Sequence, residues 1–184
     1  MKGDTVRAFV ALPLDAAALG RVVETIAALG ARTAGVRWVR PEGLHLTLRF
    51  LGPSSPEALA RMEPALRAAA AACPATVARL SGLGVFPERG SPRVLWLGVA
   101  LDSGVLVLQQ ACERAAIGAG FAPEGRAFRP HLTLGRWRDR ASRPSLPDVD
   151  LGETALDRLV LFRSELRPAG AVYTPLGVFP LGRL

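Results

Sequence analysis

The chain has 184 residues, of which 49% are hydrophobic and 21% charged, and this balance excludes a disordered protein and predicts a globular one. Its formal net charge is +7, and Lys2 is the single lysine, so arginine carries nearly all of the positive charge. Arginine binds phosphate through paired hydrogen bonds, but a coding bias would give the same composition, so the charge favours an anionic partner only weakly.

The cysteines and the apolar runs restrict the class of protein further. Cys73 and Cys112 lack the spacing of a metal site, and two cysteines do not form a disulfide scaffold. No apolar run reaches the ~18 residues that a membrane span requires. We therefore expect a cytoplasmic protein with reduced thiols and no membrane partner.

The first half of the chain predicts two strand–helix pairs. Residues 7–14 indicate a buried strand, and a helix follows that Asp15 caps and Gly30 ends. A short extended segment at 36–39 and a turn at 41–43 precede a strand that starts at residue 45. Ser54 or Ser55 then caps a helix that runs to about residue 72, and Pro64 should kink or split that helix.

The second half repeats this order. Residues 76–86 and 93–100 predict a hairpin, and Asp102 or Ser103 caps a helix that ends near residues 118–120. A strand starts at residue 131, and the polar residues 138–150 predict a mobile loop. Strands are expected at 155–162 and at 173–181, the last one at a sheet edge because it contains two prolines.

One tetrapeptide occurs twice, as residues 45–48 and 131–134: His-Leu-Thr-Leu. These are the only two histidines of the chain. Successive side chains of a strand point to opposite faces, so each copy presents an imidazole and a hydroxyl on one face and two leucines on the other.

The repeat extends beyond the tetrapeptide, because each copy follows a strand and a capped helix at nearly the same distance. The sequence thus predicts an α+β fold with two pseudo-symmetric lobes, each a mainly antiparallel sheet with helices packed outside. Residues 1–184 would form a single bilobal domain with an internal duplication. A pseudo-two-fold axis would bring both histidines to one groove between the lobes.

Two imidazoles can supply one neutral and one protonated ring near neutral pH, which is what combined base and acid catalysis needs. Neither motif contains a carboxylate, and two histidines alone make a poor metal site, so we expect neither a metal nor another cofactor. Strand alternation places Arg49 and Arg129 on the histidine face, either as phosphate ligands in the groove or as solvated charges.

The doubled motif resembles that of the two-histidine phosphoesterase superfamily. Within it the chain is similar to the bacterial and archaeal RNA 2′,3′-cyclic phosphodiesterases, also called 2′-5′ RNA ligases. The stretches that carry the resemblance span both halves: Phe9–Leu12, Leu44–Gly52, Val94–Gly98, Phe128–Arg136 and Tyr173–Leu176.

This resemblance implies metal-independent hydrolysis of a 2′,3′-cyclic phosphate at an RNA 3′ end to a 2′-phosphomonoester. It implies that His131 is the proton acceptor, that His45 is the proton donor, and that Thr47 and Thr133 hold the phosphoryl oxygens. The family pattern also indicates Phe50 and Arg136 as ligand contacts. Alternation puts these two on the wrong face, however, so a β-bulge would be needed to bring them into the groove.

Other roles stay open at this point. Ser164 and Tyr173 lie where the family closes its second lobe, as core or rim residues. Among the tryptophans, Trp137 is the best candidate to stack a nucleobase, Trp38 is another, and Trp96 is expected in the core.

Other functions also stay open. The same residues would allow 2′-5′ joining of RNA ends or the opening of a small cyclic nucleotide. A non-catalytic RNA- or nucleotide-binding module is the alternative of a different class. A monomer is expected, because one chain completes the groove.

Overall fold

The computed structural model describes residues 5–167 and 170–183. Within these ranges the chain forms three α-helices, nine strands and one 3₁₀ turn. In chain order they are β1 (Val6–Pro13), α1 (Ala16–Gly30), β2 (Val36–Trp38), the 3₁₀ turn (Pro41–Gly43), β3 (His45–Ser54), α2 (Pro56–Ala72), β4 (Thr76–Phe86), β5 (Val94–Ala100), α3 (Ser103–Gly118), β6 (His131–Trp137), β7 (Asp150–Leu156), β8 (Arg158–Arg167) and β9 (Gly170–Pro180).

Each helix begins at a side-chain cap. Asp15 accepts a hydrogen bond from the Ala18 amide at 2.8 Å, and Asp102 accepts one from the Val105 amide at 2.9 Å. Ser55 is the cap of α2, which resolves the choice between two neighbouring serines. Pro64 lies inside α2, which continues past it as one helix, so a split at this proline is not found.

The strands form one antiparallel sheet in the order β7-β4-β5-β6-β3-β1-β8-β9, and β2 pairs with the outer part of β6. β3 and β6, which begin with the two histidines, are neighbours at its centre. Beside them lie β1 and β5, and each of these leads through a helix to the motif strand that it pairs with. The expected α+β class with mainly antiparallel strands is confirmed, although the two halves share one sheet. The symmetric strand order about β3 and β6 supports the proposed internal duplication.

Two predicted strand boundaries are wrong. The single strand expected at residues 155–162 is the end of β7 and the start of β8, with Asp157 between them. β7 already begins at Asp150 because its backbone pairs with β4, a long-range partner that local composition does not reveal. β9 lies at a sheet edge as its prolines predicted.

The hydrophobic core lies between the helices and one face of the sheet. The motif leucines point into this core, since Leu46, Leu48, Leu132 and Leu134 are all buried. α2 and α3 pack together, while α1 packs against β7 and β2. The face of the sheet that carries the histidines and threonines is therefore left free to form a site.

Candidate active site

A cleft of about 590 Å³ opens on the histidine face of the sheet. Both histidines and both threonines of the repeated motif line it, together with Phe50 and Arg136. The sequence-predicted convergence of the two motifs on one pocket is therefore present in the structure.

The register of the central strands explains this convergence. Leu46 of β3 lies directly opposite Leu132 of β6 in an antiparallel pair. Such a pair places His45 across from Thr133, and Thr47 across from His131, on the opposite face of the sheet. Each imidazole therefore neighbours a hydroxyl from the other strand, and the two histidines occupy diagonal positions.

A β-bulge lies at the last leucine of each motif. In β3, Thr47 pairs with Ala11 and Arg49 with Val10, so Leu48 is an extra residue without a partner. In β6, Thr133 pairs with Trp96 and Gly135 with Leu95, so Leu134 is the extra residue.

After each bulge, the side chains of the following residues point to the opposite faces from those that simple alternation predicts. Phe50, 51% exposed, and Arg136 therefore lie on the cleft side, where simple alternation did not place them. The sequence predicted that Phe50 and Arg136 would need a β-bulge to reach the cleft, and both strands contain one.

Arg49 does not lie in the cleft, and its expected place on the histidine face is wrong. The bulge at Leu48 turns its side chain to the helix side, where it is only 6% exposed. Its Nε atom lies 2.5 Å from Glu113 Oε2 of α3, and its Nη2 donates to the carbonyl of Ala122. Arg49 thus joins the motif strand to α3.

The side chain of Arg129 also lies outside the set of cleft-lining residues. Its guanidinium pairs with Glu88 and covers the ring of Phe86 at 5.7 Å. The backbone of Arg129 does contribute, because His131 Nδ1 lies 2.6 Å from its carbonyl oxygen. The expected contact of its side chain with phosphate is therefore not found, whereas its carbonyl orients a histidine.

The family model of LigT-like phosphoesterases matches residues 12–96 and 100–173. The chain belongs to this family. The RNA 2′,3′-cyclic phosphodiesterase of Methanothermobacter thermautotrophicus is 36% identical to it over 183 residues, which are 96% of this chain and 99% of that protein. The two-histidine phosphoesterase resemblance seen in the sequence is confirmed.

Solved structures agree with this assignment. The protein TT0787 of Thermus thermophilus is similar with a TM-score of 0.85 and 32% identity, over 96% of this chain and 98% of that one. E. coli LigT complexed with 3′-AMP has a TM-score of 0.84 and 26% identity, over 97% of this chain and 99% of that one.

In this LigT-like phosphoesterase, aromatic rings surround His45. Its imidazole stacks on Phe9 with ring centroids 4.6 Å apart, and the edge of Tyr173 meets it at 5.2 Å. Loss of hydration among these rings lowers the pKa of His45 to about 4, although a hydrogen bond to the backbone of Gly43 acts in the opposite direction. With this pKa the ring is neutral at pH 7.

His131 has a similar but less enclosed environment. Its ring meets the edge of Phe86 at 5.2 Å. Burial lowers its pKa, the bond to the Arg129 carbonyl opposes this, and the positive charge of Arg136 lowers it further. Both histidines thus bond to the backbone two residues upstream, which fixes the orientation of each ring.

The bond at His131 also fixes the position of its proton. A carbonyl oxygen only accepts hydrogen bonds, so Nδ1 of the neutral His131 ring carries the proton. Nε2 is then the nitrogen that is able to accept a proton from a substrate or from water.

The tryptophans differ from their expected ranking. Trp137 is 5% exposed, and its Nε1 donates to the Ala34 carbonyl at 3.2 Å, so it belongs to the core and not to a stacking site. Trp38 lines the cleft instead. Ser164 and Tyr173 line it as well, which places both of them at the site.

Sequence reasoning missed several further cleft residues, among them Arg7, Phe9, Arg37 and Arg40. The start of β1 and the segment around β2 carry them, and the chain order alone does not show that these segments border the motif strands. Strand alternation puts Arg7 and Phe9 on one face of β1, and this is the signal that the sequence offers for them.

Among residues 5–167 and 170–183, no group of three or more His, Cys, Asp or Glu side chains is placed to hold a metal ion. Over the same ranges, no helix combines the length and the apolar character that crossing a membrane demands.

Proposed function

We propose that this protein hydrolyses the 2′,3′-cyclic phosphate at an RNA 3′ end to a 2′-phosphomonoester, with the two histidines as base and acid. The observation that carries the proposal is the diagonal placement of His45 and His131 in one cleft, each beside a threonine hydroxyl. Family membership and the curated relatives named RNA 2′,3′-cyclic phosphodiesterase support the substrate.

In this proposal His131 is the general base. Its Nε2 takes a proton from water as the water oxygen attacks phosphorus, while the Arg129 carbonyl holds the other nitrogen protonated. The new P–O bond forms as the bond between phosphorus and the ribose O3′ breaks.

His45 then gives a proton to the leaving O3′, so this ring must be protonated when the substrate is bound. Burial opposes the protonated form and lowers the pKa of the ring to about 4. The negative charge of a bound phosphodiester favours the imidazolium and raises its pKa. The choice of donor and acceptor between the two rings rests on the family resemblance, because the geometry is nearly symmetric.

Thr47 and Thr133 donate hydrogen bonds to the non-bridging oxygens, and Arg136 stabilises the charge that builds on them in the transition state. Phe50 offers an exposed ring at the cleft for the terminal base. Each proton-transfer group contributes roughly 10²–10⁴-fold to the rate. No step in this sequence uses a metal ion, and one chain supplies every group, so we propose a metal-independent monomer.

The test is an assay of an oligonucleotide that ends in a 2′,3′-cyclic phosphate, carried out in excess chelator. We expect a 2′-phosphate product from the wild type, and rates at least 10²-fold lower from His45→Ala and His131→Ala. Both variants should still bind the oligonucleotide. A 3′-phosphate product, a dependence on added metal, or binding without turnover by the wild type would contradict the proposal.

A further inference from the structure

The cleft carries more positive charge than the proposed reaction requires. Four arginines line it: Arg7, Arg37, Arg40 and Arg136. Among the residues that the structure describes, no aspartate or glutamate does so. A cyclic phosphodiester has one negative charge, and guanidinium groups bind phosphate oxygens in pairs, so the cleft has room for a second phosphate.

In the proposed function, Arg136 stabilises the charge on the reacting phosphate. It follows the bulge of β6, and its charge acts on the pKa of both His131 and Tyr173. It lines the same cleft as these two rings and is close enough to act on both of them.

Arg37 extends the positive surface away from that centre. It lies directly opposite Arg136 in the antiparallel pair of β2 and β6. Its Nη2 lies close to the start of β9, since a Cβ built on Gly170 would be 3.5 Å away from it.

Arg40 continues the same segment. It precedes the 3₁₀ turn Pro41–Gly43, which leads directly into His45. Gly43 in this turn packs against Tyr173, since a Cβ on it would lie 3.4 Å from the Tyr173 ring. Arg37 and Arg40 both line the cleft, so the segment from β2 to this turn forms a basic edge of it.

We propose that this edge, Arg37 with Arg40, binds the phosphodiester on the 5′ side of the terminal nucleotide. The preferred substrate is then an RNA end of at least two nucleotides and not a free nucleoside cyclic phosphate. Guanidinium groups suit this role, because they bind phosphate oxygens in pairs without reading the base. The inference rests on the proposed function, since it needs a cyclic phosphate at the histidines.

The experiment compares kcat/KM for adenosine 2′,3′-cyclic phosphate with that for an adenosine dinucleotide that ends in the same cyclic phosphate. We expect the wild type to prefer the dinucleotide by about tenfold or more, the effect of a charge-assisted hydrogen bond. Arg37→Gln and Arg40→Gln should each reduce this ratio severalfold. Arg114→Gln changes the charge equally at an exposed position on α3, outside the cleft, and should leave the ratio unchanged.

A salt titration of the wild type gives a second reading that needs no variant. The preference for the dinucleotide should shrink as salt rises, because an additional phosphate contact releases additional counterions. Equal kcat/KM for both substrates, or an equal loss on both in Arg37→Gln and Arg40→Gln, would overturn the subsite. Hydrolysis of neither substrate by the wild type would refute the proposed function itself.

Discussion

Gly135 occupies in β6 the position that Arg49 occupies in β3. Each follows the bulged leucine that ends a His-Leu-Thr-Leu motif. Gly135 pairs with Leu95 and Arg49 with Val10, both apolar residues of the neighbouring strand. The two lobes are therefore alike in backbone but differ in what holds the bulge in place.

In the first lobe α3 holds the bulge. Glu113 pairs with Arg49, and Gln109, one helical turn earlier, lies 3.4 Å from the carbonyl of the extra residue Leu48. In the second lobe Gly135 has no side chain, and this allows β2 to pack close to β6. A Cβ at that position would overlap Val36 Cγ1 and would lie 3.2 Å from the Arg37 carbonyl oxygen.

Gly135→Ala should displace β2 from β6. We expect a loss of about 1–3 kcal/mol in the free energy of unfolding, because the new methyl group meets side chain and backbone at once. It should also lower kcat/KM, since Arg37 and Arg136 sit opposite each other in this strand pair. The measurements are urea unfolding and steady-state kinetics.

Gly20→Ala is the matched control for Gly135→Ala. Nothing lies within 4 Å of a Cβ at Gly20, in the middle of α1, so alanine there should stabilise the protein by about 0.5–1 kcal/mol. A Gly135→Ala protein as stable and as active as the wild type would show that β2 does not need the close approach.

Glu113→Ala should leave the charge of Arg49 buried without its nearest partner. We expect a loss of about 3 kcal/mol in the free energy of unfolding, because Arg49 is 6% and Glu113 21% exposed. Glu63→Ala removes an exposed partner of Arg67 in α2 and should cost less than about 0.5 kcal/mol. The measurement is urea unfolding. Similar losses in both variants would mean that the buried ion pair contributes no more to the free energy of unfolding than the exposed one.

The sequence predicts the site where local rules are sufficient. Strand alternation puts His45 and Thr47 on one face, and the same rule holds for the second motif before its bulge. The caps at Asp15 and Asp102 follow from residue type alone. These features depend on neighbours within a few residues.

The remainder depends on partners that are distant in the sequence. The bulge opposite β1 and the ion pair with Glu113 on α3 decide where the side chain of Arg49 lies. Neither partner can be predicted from the sequence of β3 alone. Trp137 looks available for stacking beside polar residues, but its ring is buried and its nitrogen bonds to Ala34. Because bulges arise from strand pairing, alternation alone does not predict which face of the sheet the residues after a bulge occupy.

Burial of His45 should make the stability of the protein depend on pH. The folded ring has a pKa of about 4, whereas the unfolded ring titrates near 6.5, so the unfolded state binds an extra proton between these values. Stability should fall as pH falls from 6.5 to 4, by about 3 kcal/mol from this residue. Urea unfolding at pH 7 and pH 4 measures it.

His45→Asn removes this titration and serves as the reference protein. Carboxylates and His131 contribute equally to both proteins, so the difference between their pH dependences isolates His45. We expect the variant to lose about 3 kcal/mol less than the wild type over this range. Parallel losses in the two proteins would show that the imidazole is hydrated and that its pKa is near the ordinary value.

The leaving group should distinguish the proton donor from the acceptor. An aryl phosphodiester such as bis(p-nitrophenyl) phosphate releases a weakly basic oxygen that needs little protonation, whereas attack by water still needs a base. With this substrate we expect His45→Ala to lose about tenfold or less in kcat, and His131→Ala to lose roughly 10²–10⁴-fold. With an RNA cyclic phosphate both variants should lose roughly 10²–10⁴-fold. The reverse order on the aryl ester would exchange the two roles, and His131, whose ring is the less enclosed by aromatic neighbours, would then be the donor.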